Sequence, residues 1–205
     1  MLRMAVLILA AGQSTRFEGC KQLAFIDNKP LLQHAIDKAN LVCKSHVYVV
    51  SGAWHSAISA AYDQGDIHDA TLMNNLNWSG GIGNSIAYGV SELANQYDSI
   101  LILLGDQIDV EISELASMVG GLENADIICA HYSGQRGVPA LFRQSAFAAL
   151  LCLTGDSGAK KLLYQKNLLV SEYPMKSAAF DIDTKAALSQ WMITKSKEKA
   201  SKFIK

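Results

Sequence analysis

Two cations, Arg16 and Lys21, follow an apolar run that breaks into small residues, Val6-Leu-Ile-Leu-Ala-Ala-Gly12. Gly and Ala leave backbone N–H groups uncovered, so a ligand can approach the chain closely at Ala10, Ala11 and Gly12. With two cations beside it, the natural guest is a polyphosphate. A plain mobile turn is the competing reading, because neither G-x-G-x-x-G nor G-x-x-x-x-G-K-[ST] is present. Asp106 ends a second apolar run, Ile100-Leu-Ile-Leu-Leu-Gly105. A carboxylate at a strand end beside a polyphosphate points to a divalent metal, since Mg²⁺ takes one or two carboxylates plus phosphate oxygens and water. A helix-capping aspartate is the alternative. Asp181 and Asp183 fall on one side of an extended chain. They make either a second metal arm or a surface pair capping the last helix.

These residues need a scaffold that gathers them, and the hydrophobic pattern supplies one. Apolar runs at Val6–Leu9, His46–Val50, Thr71–Met73 and Asp98–Leu104 read as strands. Helical spacing follows each: Leu31 to Ala39 opened by Pro30, Trp54 to Tyr62, Ile86 to Ala94, and Ile112 to Val119. Alternating strands and helices mean an α/β chain with a mainly parallel sheet covered on both faces. Later elements are shorter: a strand at Asp126–Ala130, Val138–Phe142, helices at Ser145–Leu153 and Ser157–Tyr164, strands at Leu168–Val170 and Ala179–Phe180, and a last helix from Lys185 to Ile193. In such sheets ligands bind at the carboxyl ends of the strands. The loop after Leu9, Ser51-Gly52, the Asn/Gly-rich segment after Met73, and Gly105-Asp106 are therefore expected to share one crevice.

The 205 residues suit one domain, taken here as 1–195, with a Lys-rich tail at 196–205. The formal net charge of -1 gives no basic stripe for nucleic acid and no electrostatic membrane affinity. No apolar stretch approaches the roughly 20 residues of a spanning helix. Cys20, Cys43, Cys129 and Cys152 are scattered without Cys-x-x-Cys and read as reduced thiols of a cytoplasmic protein. The five histidines show no ligand spacing, and no G-x-S-x-G supports a serine hydrolase.

Leu9-Ala-Ala-Gly-Gln-Ser-Thr-Arg-Phe-Glu-Gly-Cys-Lys21 resembles the signature loop of nucleotidyltransferases. It is most similar to that of the molybdenum cofactor cytidylyltransferase branch, the MocA-like and MobA-related proteins, whose pattern is L-A-A-G-x-S-x-R-[MF]-G-x-x-K. Glu18 stands where that pattern has Gly. Further segments match in order. Asn75, Trp78, Gly81 and Ser85 fit N-P-x-W-x-x-G-x-x-x-S, and Gly105-Asp-Gln107 fits G-D-Q-P with Ile108 for Pro. Gly137-Val-Pro-Ala-Leu-Phe142 fits G-x-P-x-x-F, and Leu153-Thr-Gly-Asp-Ser-Gly-Ala159 fits L-x-G-D-x-G-A. Asp181-Ile-Asp-Thr184 fits the start of D-I-D-T-P-E-D. The resemblance spans Val6 to Thr184.

The resemblance implies a three-layer Rossmann-like nucleotidyltransferase fold with a mixed, mainly parallel sheet. It implies Mg²⁺ held by Asp106 with Asp183 or Asp181, of which Asp183 is favoured. Arg16 and Lys21 would neutralise phosphate charge during catalysis with Asp106. Leu9, Ala10, Ala11 and Gly12 would meet the nucleotide, while Gly52, Asn75, Gly81 and Ser85 would hold base and ribose. The expected donor is CTP, favoured over GTP by Leu9-Ala-Ala-Gly with Ser14. The expected acceptor is a molybdopterin-type cofactor, with transient contact to a molybdoenzyme or its chaperone. A GTP-using guanylyltransferase, a sugar- or alditol-phosphate nucleotidyltransferase and a non-catalytic nucleotide-binding paralogue are the rivals.

Overall fold

The computed structural model describes residues 3–121 and 125–202. Strand β1, Met4–Ala10, is buried along nearly its whole length. Its side chains alternate between two cores, as strand geometry demands. Leu7 and Leu9 enter one core with Ile86, Val90 and Leu93. Val6 and Ile8 enter the other with Leu32, Ile36 and Ile58. Burying each such side chain stabilises the fold by about 1.5–3 kcal/mol. The result is the three-layer α/β arrangement that the alternating pattern anticipates.

After β1 the chain makes a short hairpin, β2 Phe25–Ile26 with β3 Lys29–Pro30. Its turn residues Asp27 and Asn28 both have positive φ, 49° and 62°, as a tight two-residue hairpin requires. Then follow α1 Leu31–Val42, β4 Val47–Ser51, α2 His55–Asp63, β5 Thr71–Asn74, α3 Ile82–Leu93, β6 Ser99–Leu104 and α4 Ile112–Gly120. The second half gives β7 Ile127–Tyr132, β8 Gln135–Arg143, α5 Phe147–Leu151, β9 Val170–Pro174 and α6 Lys185–Lys202. Among the described residues the main sheet has seven strands, in the order β5-β4-β1-β6-β8-β7-β9. Strand β8 runs against its neighbours, pairing antiparallel with β6 and β7.

Several late elements differ from expectation. The helix expected at Ser157–Tyr164 is a 3-10 stretch, Ala159–Tyr164, entered from Gly158 without a side-chain cap. The helix expected from Ser145 is 3-10 at Gln144–Ala146 and α-helical only at Phe147–Leu151. Ala179–Phe180 is not a strand, because Lys176–Ala179 forms a 3-10 turn after Pro174 ends β9. The last helix runs past Ile193 to Lys202, so the segment expected as a tail begins inside α6. Its residues 203–205 lie outside the described ones.

Helix α3 crosses the sheet closely because Gly89 faces it. A Cβ on Gly89 would meet the buried Leu7 Cδ2 at 2.7 Å and Val50 Cγ2 at 2.9 Å. Overpacking of this kind costs about 1–3 kcal/mol. Gly89→Val is therefore expected to lower the denaturant midpoint without changing the slope of the transition. A midpoint equal to wild type would show that α3 can lift away without cost.

Candidate active site

The loops at the carboxyl ends of β1, β4, β5 and β6 meet because these strands are parallel and in register. Backbone hydrogen bonds sew them together: Ala53 N–H to Ala11 O at 3.1 Å, Asn75 N–H to Ser51 O at 2.9 Å, and Gly105 N–H to Leu9 O at 3.2 Å. The loops after β1, β5 and β6 line an open cleft of about 440 Å³, and the end of β4 stands behind them. Leu9, Ala10, Ala11, Gly12, Arg16 and Lys21 line it from one side, Gly81 and Ser85 from another, and Asp106 and Asp183 close its end.

At that end Lys21 is only 9% exposed. Its ammonium lies 2.5 Å from Asp106 Oδ2 and 3.2 Å from Asp183 Oδ1. A buried ammonium is strongly unfavourable unless it is paired, and here two carboxylates pair it. Arg16 Nη2 sits 2.9 Å from Asp183 Oδ2, on the solvent side. The other oxygen of Asp106, Oδ1, is buried with no hydrogen-bond partner among the described residues. Such an oxygen carries a desolvation cost that a cation would relieve. No group of three His, Cys, Asp or Glu able to hold a metal occurs among the described residues. Two carboxylates, Asp106 and Asp183, are a donor set that fits a hard ion taking a few carboxylate oxygens and filling its shell with phosphate and water.

A small separate core fixes these side chains. Phe17 from the first loop, Ile108 from the segment after Asp106, and Ile182 from between the two late aspartates pack together with Ile26 and Leu31. Ile108, where the resembled pattern has Pro, is thereby an anchor. Gln107 donates its amide to Ala178 O at 3.0 Å and Val138 O at 3.2 Å. Ile182 N–H donates to Asp106 O at 3.2 Å, tying the Asp106 loop directly to the Asp181–Asp183 arm.

Two expected binding residues stand behind the cleft. Gly52 allows close packing, for a Cβ there would collide with the Trp78 side chain and lie 2.9 Å from Ala11 O. Asn75 is buried and donates to Ser85 Oγ at 3.1 Å, so it positions Ser85. Gly81 needs its type, with φ of 95° and no room for a Cβ beside the Gly155 backbone. Glu18 takes the left-handed conformation, φ 56° and ψ 47°, which explains a glycine at that place in related loops. Its side chain is exposed and does not line the cleft. Trp78, Ser79, Gln22 and Asp156 also line the cleft, a placement their local sequence does not declare. The Gly155-Asp156 pair is a visible turn signal in the sequence, but only the fold brings it against Gly81 and Gly83.

Asp181 does not line the cleft. Its carboxyl is pushed up to about 6 from 3.8, by desolvation first and then by the charges of Asp106 and Asp183, against the pull of Lys21. Three carboxylates thus compete for the cations of one site.

The family described as MobA-like NTP transferase domain matches residues 6–169. The bifunctional protein GlmU of Sinorhizobium medicae is 28% identical over 118 residues, covering 57% of this chain and 25% of that protein. The chain spans between 22% and 31% of the length of the first such relatives. Among solved structures, Rv0371c from Mycobacterium tuberculosis H37Rv superposes with a TM-score of 0.77 at 23% identity, covering 94% of this chain and 98% of that one. The same protein has been solved as a complex with manganese. Molybdopterin-guanine dinucleotide biosynthesis protein A from Archaeoglobus fulgidus gives a TM-score of 0.70 at 18% identity, covering 95% of this chain and 100% of that one. At these identities the solved structures establish a shared fold.

Asp181 yields a signed expectation. Its raised folded-state value means that the protonated acid is favoured in the native protein, so this stability is full below pH 3.8 and is lost as pH rises through about 6. Asp181→Asn, which cannot ionise, should unfold at a higher denaturant midpoint than wild type at pH 8 in metal-free buffer. The two midpoints should converge near pH 4. A gap that is the same at both pH values would remove the like-charge account.

Proposed function

Since the chain belongs to the MobA-like NTP transferase family and is a nucleotidyltransferase, we propose that it transfers CMP from CTP to a phosphate of a molybdopterin-type cofactor, releasing pyrophosphate. The observation that carries this reading is the Lys21 ammonium between Asp106 and Asp183 at the end of a cleft walled by backbone from residues 9–12. A phosphate oxygen of the acceptor attacks the α-phosphorus. The bond from the α-phosphorus to the bridging oxygen breaks, and pyrophosphate leaves with the electron pair. This chemistry needs positioning and charge neutralisation rather than a protein nucleophile.

In this reading Leu9, Ala10, Ala11 and Gly12 present backbone to the nucleotide. Gly81 and Ser85 shape the far wall, with Gly52 and Asn75 supporting them. Lys21 and Arg16 take up negative charge on the α-phosphate and the departing pyrophosphate. A divalent ion, Mg²⁺ in this proposal, would be held by Asp106 with Asp183, favoured over Asp181 because Asp183 lines the cleft, and would supply Lewis-acid neutralisation of the reacting phosphate. The orphaned Asp106 Oδ1 supports that assignment, as does the manganese complex of Rv0371c.

CTP rests on Leu9-Ala-Ala-Gly with Ser14. GTP is the second reading, favoured by the likeness to the molybdopterin-guanine dinucleotide protein of Archaeoglobus fulgidus. The proposal takes residues 1–195 as one catalytic unit working in the cytoplasm, meeting a molybdoenzyme or its chaperone transiently. Among the described residues no helix is long and apolar enough to cross a membrane.

Pyrophosphate release measured with CTP or GTP, with and without Mg²⁺, against molybdopterin and sugar-phosphate acceptors tests this reading. CTP with Mg²⁺ and the molybdopterin acceptor should be the productive set, and Asp106→Ala or Lys21→Ala should each lower the rate by about a hundredfold or more. Near-normal turnover in Asp106→Ala would sink the metal assignment. Preference for GTP would transfer the chain to the guanylyl reading. Tight nucleotide binding without pyrophosphate from any acceptor would make it a binding protein.

A further inference from the structure

The carboxylates proposed to hold the metal already share a cation. Lys21 Nζ bonds Asp106 Oδ2 and Asp183 Oδ1, and Arg16 takes the remaining oxygen of Asp183. Of the four oxygens on this pair only Asp106 Oδ1 is left without a partner among the described residues. One oxygen does not hold a divalent ion, and the two cations already occupy the other three oxygens of this pair. A metal arriving alone would meet an ammonium buried in its path.

We propose that Lys21 is a built-in counter-ion that keeps a lone divalent metal out of the site and gives way only when the phosphates of a nucleotide offer it another anion. This inference rests on the reading of Asp106 and Asp183 as metal ligands. Lys21 suits the task. Its ammonium is a compact charge on a flexible four-carbon stem, able to move from carboxylate to phosphate without moving backbone. Lys21 also lies in a 3-10 turn, Lys21–Leu23, whose neighbour Gln22 donates to Ala10 O at 3.2 Å. The stem is therefore rooted beside the backbone that would meet the nucleotide. Metal and nucleotide then bind each other's complex with the protein more tightly than the empty protein, and the coupling is reciprocal. Phe17, Ile108 and Ile182 hold the loops still, so the side chain rather than the loop makes the exchange.

The test uses Mn²⁺ alone, without nucleotide, on the full chain, with the unbound ion read by electron paramagnetic resonance. Lys21→Met removes the charge and should bind Mn²⁺ about tenfold more tightly than wild type, within the usual range of such couplings. Lys21→Gln, which keeps hydrogen-bond donors, serves the same purpose should the methionine variant misfold by circular dichroism. Lys21→Arg keeps the charge and should show no tightening. Equal Mn²⁺ affinity in wild type and the folded neutral variant would overturn the proposal. Adding Asp106→Asn to the neutral variant separates the two ideas. Lost Mn²⁺ binding there upholds the metal reading whatever Lys21 does, whereas unchanged binding removes the metal reading itself.

Discussion

A buried ammonium that must be paired is the constraint on which this site depends. Lys21 belongs to the first loop, Asp106 to the end of β6, and Asp183 to the approach to α6. No local sequence brings them together. The pairing is possible only because each loop carries an apolar residue, Phe17, Ile108 and Ile182, that enters one small core beneath the charges. That core excludes water from one side of the ion cluster. It thereby strengthens the attraction and raises the cost of any missing partner. The Asp181 carboxyl, near the like charges of Asp106 and Asp183, is shifted upward.

The sheet provides the rest. Parallel strands β5, β4, β1 and β6 end at one edge, and the connecting helices pack on both faces. This order sets the β1 loop between the β4 and β6 loops, so a ligand on Ala10–Gly12 is within reach of Asp106. Because β8 runs antiparallel to β6, its first residues lie at this same edge. Gln107 ties to Val138 and Ala178 there. The late segment Thr154–Gly158 closes against α3, where Gly83 N–H donates to Gly155 O at 2.9 Å.

Much of this is legible in the sequence. β1, β6, the cationic loop and Asp106 are all declared by apolar runs that stop at small or charged residues. The convergence of four loops follows from strand alternation alone. What is not legible depends on contact between distant segments. Gly52, at a strand end, and Asn75, in a resembled motif, act from behind the cleft, because their neighbours Trp78 and Ser85 are the ones that line it. Asp156 lines the cleft only because Gly81 lacks a side chain. The short elements that follow Arg143 mislead for a physical reason: runs of a few residues have no period long enough to separate 3-10 turns from helix or strand, and tertiary contacts decide. In the sequence Glu18 is the residue of the first loop that departs from the resembled pattern. Its left-handed backbone turns the issue into one of conformation, since the side chain stays exposed outside the cleft.

The first loop also settles a subtler electrostatic matter. A backbone loop offers acceptors as well as donors, and exposed carbonyls would repel a polyphosphate. Here the carbonyls are drawn into the scaffold. Ala10 O accepts from Gln22 at 3.2 Å, Ala11 O from Ala53 at 3.1 Å, and Gln13 O from Trp54 Nε1 at 2.9 Å. Their partial negative charge is met by donors from separate segments of the chain. Gln22, Ala53 and Trp54 carry no charge and would be passed over in a search for catalytic groups. They nonetheless occupy carbonyl oxygens that, in the proposed reading, would otherwise repel a polyphosphate, and Lys21 adds a positive charge beside them.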